Sequence, residues 1–476
     1  MEESGRDSIY KAARKIKKRE NSLYNALRSI YEDSIFVSEI SELWPEVPLV
    51  GNLRCGLWYS RSLHSTCYFK STDGHSNNWS FSTARLNIHV ALLAAGRGGC
   101  MIVDSTRRGK RFPDSMSKTI PIWACVLNRA VRDLIDISPW DCSLHLPLWV
   151  SQTERASIET RLDEWTLLLK QSGADIASLA ASLRKPLRPL WISHRTVIWL
   201  NHVPHHESWD FTPVILLSAS ASSSDCAPHH TTTSQFSWSY IPGAGDDEET
   251  WAKGLSPSLF WKHAYDLINS PPHLCNRMVA DIVESTRLTV QPLLSHHLPL
   301  ASQTQTFSIS FLASTNLALS PSHLAADAAH VDCILNCDQR SISARLPSDD
   351  LYLHLPMVTS KFNRFSLLNN LPKAVSFAKF NLSQGKRLLV CCNNGEDISV
   401  CVCLAILMSL FDEKGTFDDG KSFNATEVTK WDMKRRLVYV CKFATDARPS
   451  RGNLRQVFNF LIGGKRVHHP DTEGDE

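Results

Sequence analysis

Leu389-Val390-Cys391-Cys392-Asn393-Asn394-Gly395-Glu396-Asp397-Ile398-Ser399 passes from an apolar run through a short polar turn into a second apolar run. Arg387 to Cys392 is a short apolar segment of strand character, and Val400 to Phe411 is apolar on nearly all sides, as in a helix buried against a sheet. A loop that closes onto a helix N-terminus presents backbone N–H groups and the positive end of the helix dipole, which bind an anion without side-chain help. Asn393 to Ser399 is therefore a candidate phosphate cradle. The same glycine turn would also serve a plain buried strand and helix.

The loop resembles the signature of the cysteine phosphatases, which runs His-Cys, two residues, Gly, two residues, Arg-Ser. Cys392, Gly395 and Ser399 are in place, whereas Cys391 stands at the His position and Ile398 at the Arg position. Hydrolysis through a cysteinyl phosphate needs a thiolate, a guanidinium on the equatorial oxygens and a general acid. Ile398 cannot clamp a phosphate. The upstream stretch Leu351 to Thr359 resembles the segment where dual-specificity phosphatases carry their acid, yet Met357, Val358 and Thr359 offer none. Two missing parts point away from phosphatase activity and towards a cradle put to another use.

The flanks fit the same architecture. His330 to Cys337 reads as an apolar strand, and Phe365 to Asn381 has helical spacing, with Leu367, Leu368, Leu371, Val375, Phe377 and Phe380 as candidate buried positions. Gly385 is a stop signal for that helix. Arg448 to Phe458 resembles the opening of the last phosphatase-fold helix. Alternating strands and helices imply an α/β layer structure.

At 476 residues the chain exceeds what one core usually supports, and 43% hydrophobic content is ordinary for a globular protein. No apolar run reaches membrane-spanning length, and Met1-Glu2-Glu3-Ser4 opens without a signal-peptide pattern. Fourteen scattered cysteines with no C-x-x-C pair suggest reduced thiols in a cytosolic or nuclear setting rather than a zinc site. The net charge is +3, but residues 11 to 19 carry six basic groups and no acid. Lys15, Lys17, Lys18 and Arg19 in that run are candidate contacts to an RNA backbone; a solvated helix face or a localisation tag would look the same.

The N-terminal part carries the second set of informative motifs. Met101-Ile102-Val103-Asp104 is an apolar strand ending in an acid, and Ser105 to Arg111 then brings four cations within seven residues. Helix-compatible sequence resumes after Pro121, a residue suited to a first turn. Strand, polar–basic loop, helix suits polyphosphate or RNA phosphates. Upstream lie Gly51 to Tyr59, Lys70-Ser71-Thr72-Asp73-Gly74-His75 and Trp79 to Asn87; further on comes Gly243-Ala244-Gly245-Asp246-Asp247. Trp58, Tyr59 and Trp79 are either base-stacking or core aromatics.

Together these motifs resemble the initiator-tRNA phosphoribosyltransferases (tRNA 2′-O-ribosylphosphate transferases) of fungi and plants. The match covers most of the chain, including Lys70 to His75, Trp79 to Asn87, Val103 to Pro121, Gly243 to Asp247, the Cys391-to-Ser399 loop and Arg448 to Phe458. The resemblance implies a family-specific N-terminal α/β domain over 1–285, a bridge over 286–325, a dual-specificity-phosphatase-like α/β domain over 326–465 and a polar tail over 466–476. It implies transfer of ribosyl phosphate from 5-phosphoribosyl 1-pyrophosphate to the 2′-OH of a T-stem adenosine of initiator tRNA, with Mg²⁺ expected, by a monomer that needs no membrane. A non-catalytic phosphate- or RNA-binding pseudophosphatase is the alternative.

That chemistry needs cations for the pyrophosphate and the 5′-phosphate and a base near the RNA hydroxyl. Arg107, Arg108 and Lys110, then Lys70 and Arg85, are the candidate phosphate contacts; Arg97 could touch RNA. Asp73, His75 and Asp104 are the candidate bases, with Asp73 preferred over Asp104. Asp246 and Asp247 are candidate metal ligands, or an acidic surface turn. In the phosphatase-like loop, Cys392, Asn393, Asn394, Gly395, Glu396, Asp397 and Ser399 are the expected phosphate site, with Glu396 and Asp397 aiding Mg²⁺ or capping the helix.

Overall fold

Near-continuous runs of buried β-branched and leucine residues make two separate sheets in this chain, as expected of parallel strands covered on both faces. The computed structural model describes residues 23–107, 110–136, 139–221, 238–246, 248–288, 309–325, 328, 330–342 and 349–466. Lys15, Lys17, Lys18, Arg19, Arg108 and Asp247 lie outside these residues, as do most of the Ser-rich stretch after Ser218, half of the expected bridge and the polar tail. Two compact units emerge, one formed by residues 1–81, 87–167 and 175–305, the other by 82–86, 168–174 and 306–476.

The first unit is built on five parallel strands in the order β2-β1-β3-β5-β4: β1 (Leu49–Asn52), β2 (Ser65–Cys67), β3 (Cys100–Asp104), β4 (Leu187–Ile192) and β5 (Thr212–Ser218). The register sets Gly51 beside Val103 and Asp104 beside Ser218. From β1 the chain winds outward to β2 on one side, whereas β3, β5 and β4 continue on the other. The carboxyl ends of β1 and β3 thus flank the point where the winding reverses, the usual ligand crevice of an open parallel sheet. Met101, Val103, Ile215 and Leu217 pack with the helices Leu23–Glu42 and Pro257–Asn269. The second of these helices starts where the sequence signals it, with Pro257 in the first turn and the Ser256 side chain accepting from the Leu259 N–H. Helix Ile120–Arg132, with Pro121 in its first turn, packs along β4.

The second unit has the order β6-β7-β10-β8-β9: β6 (Ser310–Phe311), β7 (Leu317–Pro321), β8 (Cys333–Asn336), β9 (Tyr352–His354) and β10 (Leu388–Cys392), with only the β6–β7 pair antiparallel. Residues 309–325, expected to bridge the two domains, instead supply two strands, and β7 pairs with the central β10 from Leu317 to Pro321. Helix Ile398–Leu410 is almost wholly buried and packs with helices Ser366–Leu382, Lys430–Phe443 and Arg451–Arg466. On Ser366–Leu382 the buried stripe runs through Leu367, Leu371, Ala374, Ala378 and Leu382. Phe380, expected inside, stands two residues past Ala378, about 200° around a 3.6-residue turn, and is 57% exposed. Leu368 is half-buried.

Both units are α/β, the expected fold class. Every described cysteine is a free thiol, and no described helix is long and apolar enough to cross a membrane.

Candidate active site

Asp104, at the carboxyl end of β3, is wholly buried and accepts hydrogen bonds on both oxygens. Oδ2 accepts from Asn52 Nδ2 (2.8 Å), Ser115 Oγ (2.9 Å) and Arg54 Nε (3.2 Å), and Oδ1 from the Ser105 N–H (2.8 Å) and Cys55 Sγ (2.9 Å). Arg54 in turn reaches Asp246 Oδ1 at 2.7 Å and donates to the Ser105 carbonyl. Burial alone would lower the pKa of this guanidinium, but Asp104, Cys55 and Asp246 raise it, so the group stays charged. The Cys55 thiol is pushed well above its ordinary value by burial and by Asp104, which leaves it a donor and not a nucleophile. Asp104, expected as an open base, is therefore a five-bonded hub that fixes the β1 and β3 loops.

The basic loop after β3 docks on the glycine motif. Arg107 donates Nε to the Gly243 carbonyl (3.3 Å) and Nη2 to the Ala244 carbonyl (3.4 Å), and its N–H lies 3.4 Å from Asp246 Oδ2. Gly243 has φ +63° and would drive a Cβ into the Thr106 carbonyl; a Cβ on Gly245 would meet the Tyr59 hydroxyl at 2.9 Å. Thus three segments far apart in sequence come together, carrying Arg54, Asp104 with Arg107, and Asp246. Trp58 and Tyr59 are fully buried and belong to the core.

A second cluster surrounds the turn Ser71–Gly74. Thr119 Oγ1 donates to the Lys70 carbonyl (3.0 Å), and Gly74 lies so close to Asp114 that a Cβ would come within 2.6 Å of its carbonyl. His75 Nε2 and Lys110 Nζ approach Asp114 Oδ2 at 3.5 and 2.9 Å. Residues Ser115–Thr119 form a single π-turn, a device common at functional sites. Within it Lys118 is buried and pairs with Glu154 at 2.9 Å, which also accepts from Trp79 Nε1 (2.8 Å). Burial would raise the Glu154 pKa, yet Lys118 and Trp79 hold it below its ordinary value. Arg85 belongs to the other unit, where its turn packs on helix Lys430–Phe443.

In the second unit the loop after β10 joins a strand to a helix as expected, but it bonds two of its own N–H groups, Gly395 to the Cys392 carbonyl (3.3 Å) and Glu396 to Asn394 Oδ1 (3.2 Å). Cys392 Sγ lies 3.2 Å from Ser399 Oγ, and Gly395, at φ +72°, would bring a Cβ within 2.7 Å of the Pro321 nitrogen. Ile398 is buried in the core. Glu396 is folded inward: Oε2 accepts from Asn394 Nδ2 (2.8 Å) and from Arg448 Nε and Nη2 (2.7 and 2.6 Å). Asp397 makes no cap on its own helix; its Oδ1 accepts from the Ser450 N–H (2.9 Å) and Asn453 Nδ2 (3.0 Å), pinning the start of the last helix. Asn393 is exposed. Arg448 therefore neutralises the loop's own acid and is not an extra phosphate clamp.

Residues 16–284, more than half of the chain, match the family profile described as the Rit1 N-terminal domain. The chain belongs to the Rit1 family. Residues 351–461 match the Rit1 DUSP-like domain, the phosphatase-like part expected from the Cys392 loop. An uncharacterized protein of Schizosaccharomyces pombe is 38% identical over 267 residues, 55% of this chain and 57% of that protein. A Saccharomyces cerevisiae protein named tRNA A64-2′-O-ribosylphosphate transferase is 35% identical over 283 residues, 55% of this chain and 54% of that protein. The chain thus spans about half the length of these curated relatives. The crystal structure of human DUSP28 covers 35% of this chain and 99% of its own at 20% identity, with a TM-score of 0.26.

Three features of this Rit1 chain escaped sequence reading. Arg54 lies in the quoted motif Gly51 to Tyr59, but nothing local marks it as the bridge between two acids. Lys118 gave no signal beyond its place in Val103 to Pro121. The third is a buried network behind the Asp104 loop: Asp33 accepts from Ser220 Oγ (2.5 Å) and Tyr240 OH (2.6 Å), and Ser220 Oγ meets Ser105 Oγ at 2.8 Å. Burial pushes the Asp33 pKa from 3.8 up to about 8. The unfolded chain releases this proton near pH 4 and the folded one near 8, so Asp33 contributes stability that is complete below about pH 4 and lost as pH rises through 8. Asp33→Asn removes the titration, and its stability relative to the native chain should rise by roughly 1.4 kcal/mol per pH unit across that window. Denaturant melts of both proteins from pH 4 to 8 check it; a constant difference would show that Asp33 is ionised in the fold.

Among the described residues no group of three or more His, Cys, Asp or Glu side chains is arranged to hold a metal ion. Both oxygens of Asp246 are engaged, by Arg54 and by the Arg107 N–H, so the candidate metal ligand serves the cationic loop instead. Among the described residues the donors form no all-protein Mg²⁺ cage, which this ion rarely uses.

Proposed function

We propose that this chain transfers ribosyl phosphate from 5-phosphoribosyl 1-pyrophosphate to the 2′-hydroxyl of adenosine 64 in the T-stem of initiator tRNA, which keeps that tRNA out of elongation. The observation that carries this reading is the Arg54–Asp104–Asp246 node at the winding reversal of the first sheet, followed at once by Arg107 and Lys110. The relative named for A64 ribosylphosphate transfer supports the choice of acceptor.

In the reaction the 2′-oxygen bonds to C1 of the donor ribose while the C1–O bond to pyrophosphate breaks, its electron pair leaving with the pyrophosphate and the hydroxyl proton passing to a base. The transition state has oxocarbenium character, so anionic oxygens gain charge on the leaving side. Arg107 and Lys110 meet that charge, and Asp104 and Arg54 hold the loop that carries them. His75, oriented by Asp114, or Asp73 on the same turn takes the proton. Mg²⁺ brought in with the donor would neutralise charge on the leaving pyrophosphate. In the second unit the Cys392 loop binds an RNA phosphate through backbone N–H groups other than those of Gly395 and Glu396, which bond within the loop. The chain acts as a monomer on a cytoplasmic tRNA.

Transfer of label from ribose-labelled 5-phosphoribosyl 1-pyrophosphate to purified initiator tRNA, beside elongator tRNA and a metal-free control, tests the reading. Label on initiator tRNA alone, and only with Mg²⁺, is the expected result. No label with folded protein and intact tRNA would overturn it and leave a non-catalytic RNA- or phosphate-binding protein.

A further inference from the structure

We propose that Trp149 is a stacking platform for an unstacked nucleobase of the RNA acceptor, next to the Asp104 loop; this rests on the reading of the chain as an RNA-modifying transferase. The residues that sequence spacing offered for stacking are otherwise engaged: Trp58 and Tyr59 are fully buried, and Trp79 is tied through its indole N–H to Glu154. Trp149 is different. It is 52% exposed, and the neighbouring Leu148 is fully exposed.

The indole is also held in place. It stacks on the buried Phe112 ring, with centroids 5.0 Å apart and planes 11° apart, and its N–H points at Ser117 Oγ (3.3 Å). Trp191 meets it edge-on at 6.3 Å and donates its own N–H to the Met116 carbonyl (2.9 Å). Phe112, Ser117 and Met116, the acceptor of Trp191, lie on the segment Phe112 to Ser117, whose Ser115 donates to Asp104. A large aromatic surface that is rigid and half in water loses no side-chain freedom when a flat ligand lands on it.

The charge around it selects the ligand. Arg111 lies 5.4 Å over the Phe112 ring and is fixed by Ser193 and Thr196, and Lys110 is more than half exposed. An aromatic face beside a cationic loop matches a nucleic acid, whose bases stack while its phosphates meet the cations. Bases inside an A-form stem have no free face, so the partner is a base splayed out of the stack, either the target adenosine itself or a loop neighbour.

Trp149→Ala and Trp149→Phe, compared with the native chain, test this by measuring affinity for initiator tRNA across a salt series and, separately, affinity for 5-phosphoribosyl 1-pyrophosphate. Stacking predicts that Trp149→Ala weakens tRNA binding roughly tenfold, with donor affinity and the salt slope unchanged because no phosphate contact is lost, and that Trp149→Phe restores most of it. Unchanged tRNA affinity in Trp149→Ala, with transfer still running, overturns the platform and leaves the transferase reading standing. Loss of donor affinity together with tRNA affinity, unrelieved by Phe, also overturns it, by showing a packing role. A native chain that binds no tRNA overturns both.

Discussion

Asp104→Asn is expected to lower ribosylphosphate transfer about a hundredfold while the chain stays folded. Five donors converge on this carboxylate, three on Oδ2 and two on Oδ1. An amide turns one of those oxygens into an NH₂ group, so whichever way it lies at least two buried donors lose their acceptor, at about 1–3 kcal/mol each. Arg54 also loses one of its two carboxylates and keeps Asp246 alone. The loop bearing Arg107 and Lys110 then shifts, and misplacement by about 1 Å costs on the order of a hundredfold in rate. Single-turnover label transfer gives the rate, and circular dichroism reports the fold. A rate within twofold of the native chain would mean that the Asp104 node is scaffold and that transfer occurs elsewhere.

Arg448→Ala is expected to destabilise the second unit by about 3 kcal/mol, because it strands the buried Glu396 carboxylate. Arg448 grips Glu396 with two nitrogens and adds a backbone bond to its carbonyl at 2.8 Å. The lower end of the usual range applies because the Arg448 side chain keeps 30% exposure. Adding Glu396→Gln removes the stranded charge and should recover most of the loss, since Asn394 still bonds the side chain. Calorimetry of the single and double variants measures the coupling; a single variant within 0.5 kcal/mol of the native chain would show that the pair behaves as a surface ion pair.

What the sequence by itself determined is the set of local signals. The run Met101 to Asp104 ends in its acid at the end of β3, Pro121 opens the next helix, and the Cys392-to-Ser399 stretch is a loop between a strand and a helix. Hydrophobic runs, prolines and glycines with positive φ act within a few residues, so they can be read along the chain. Several motif segments quoted from the sequence do meet in the first unit: Arg54, Asp104, Arg107 and Asp246 bond to one another, and Lys70 and Gly74 lie against Thr119 and Asp114. Only the tertiary structure decided what each side chain does there. Arg54 finds Asp246 192 positions away, Asp33 finds Ser220 187 away, and Glu396 finds Arg448 52 away. The strands at 309–325 and the aromatic surface at Trp149 were hidden for the same reason. Burial and charge pairing depend on which distant segments the sheets bring together, and no periodicity along the chain encodes a partner at that separation.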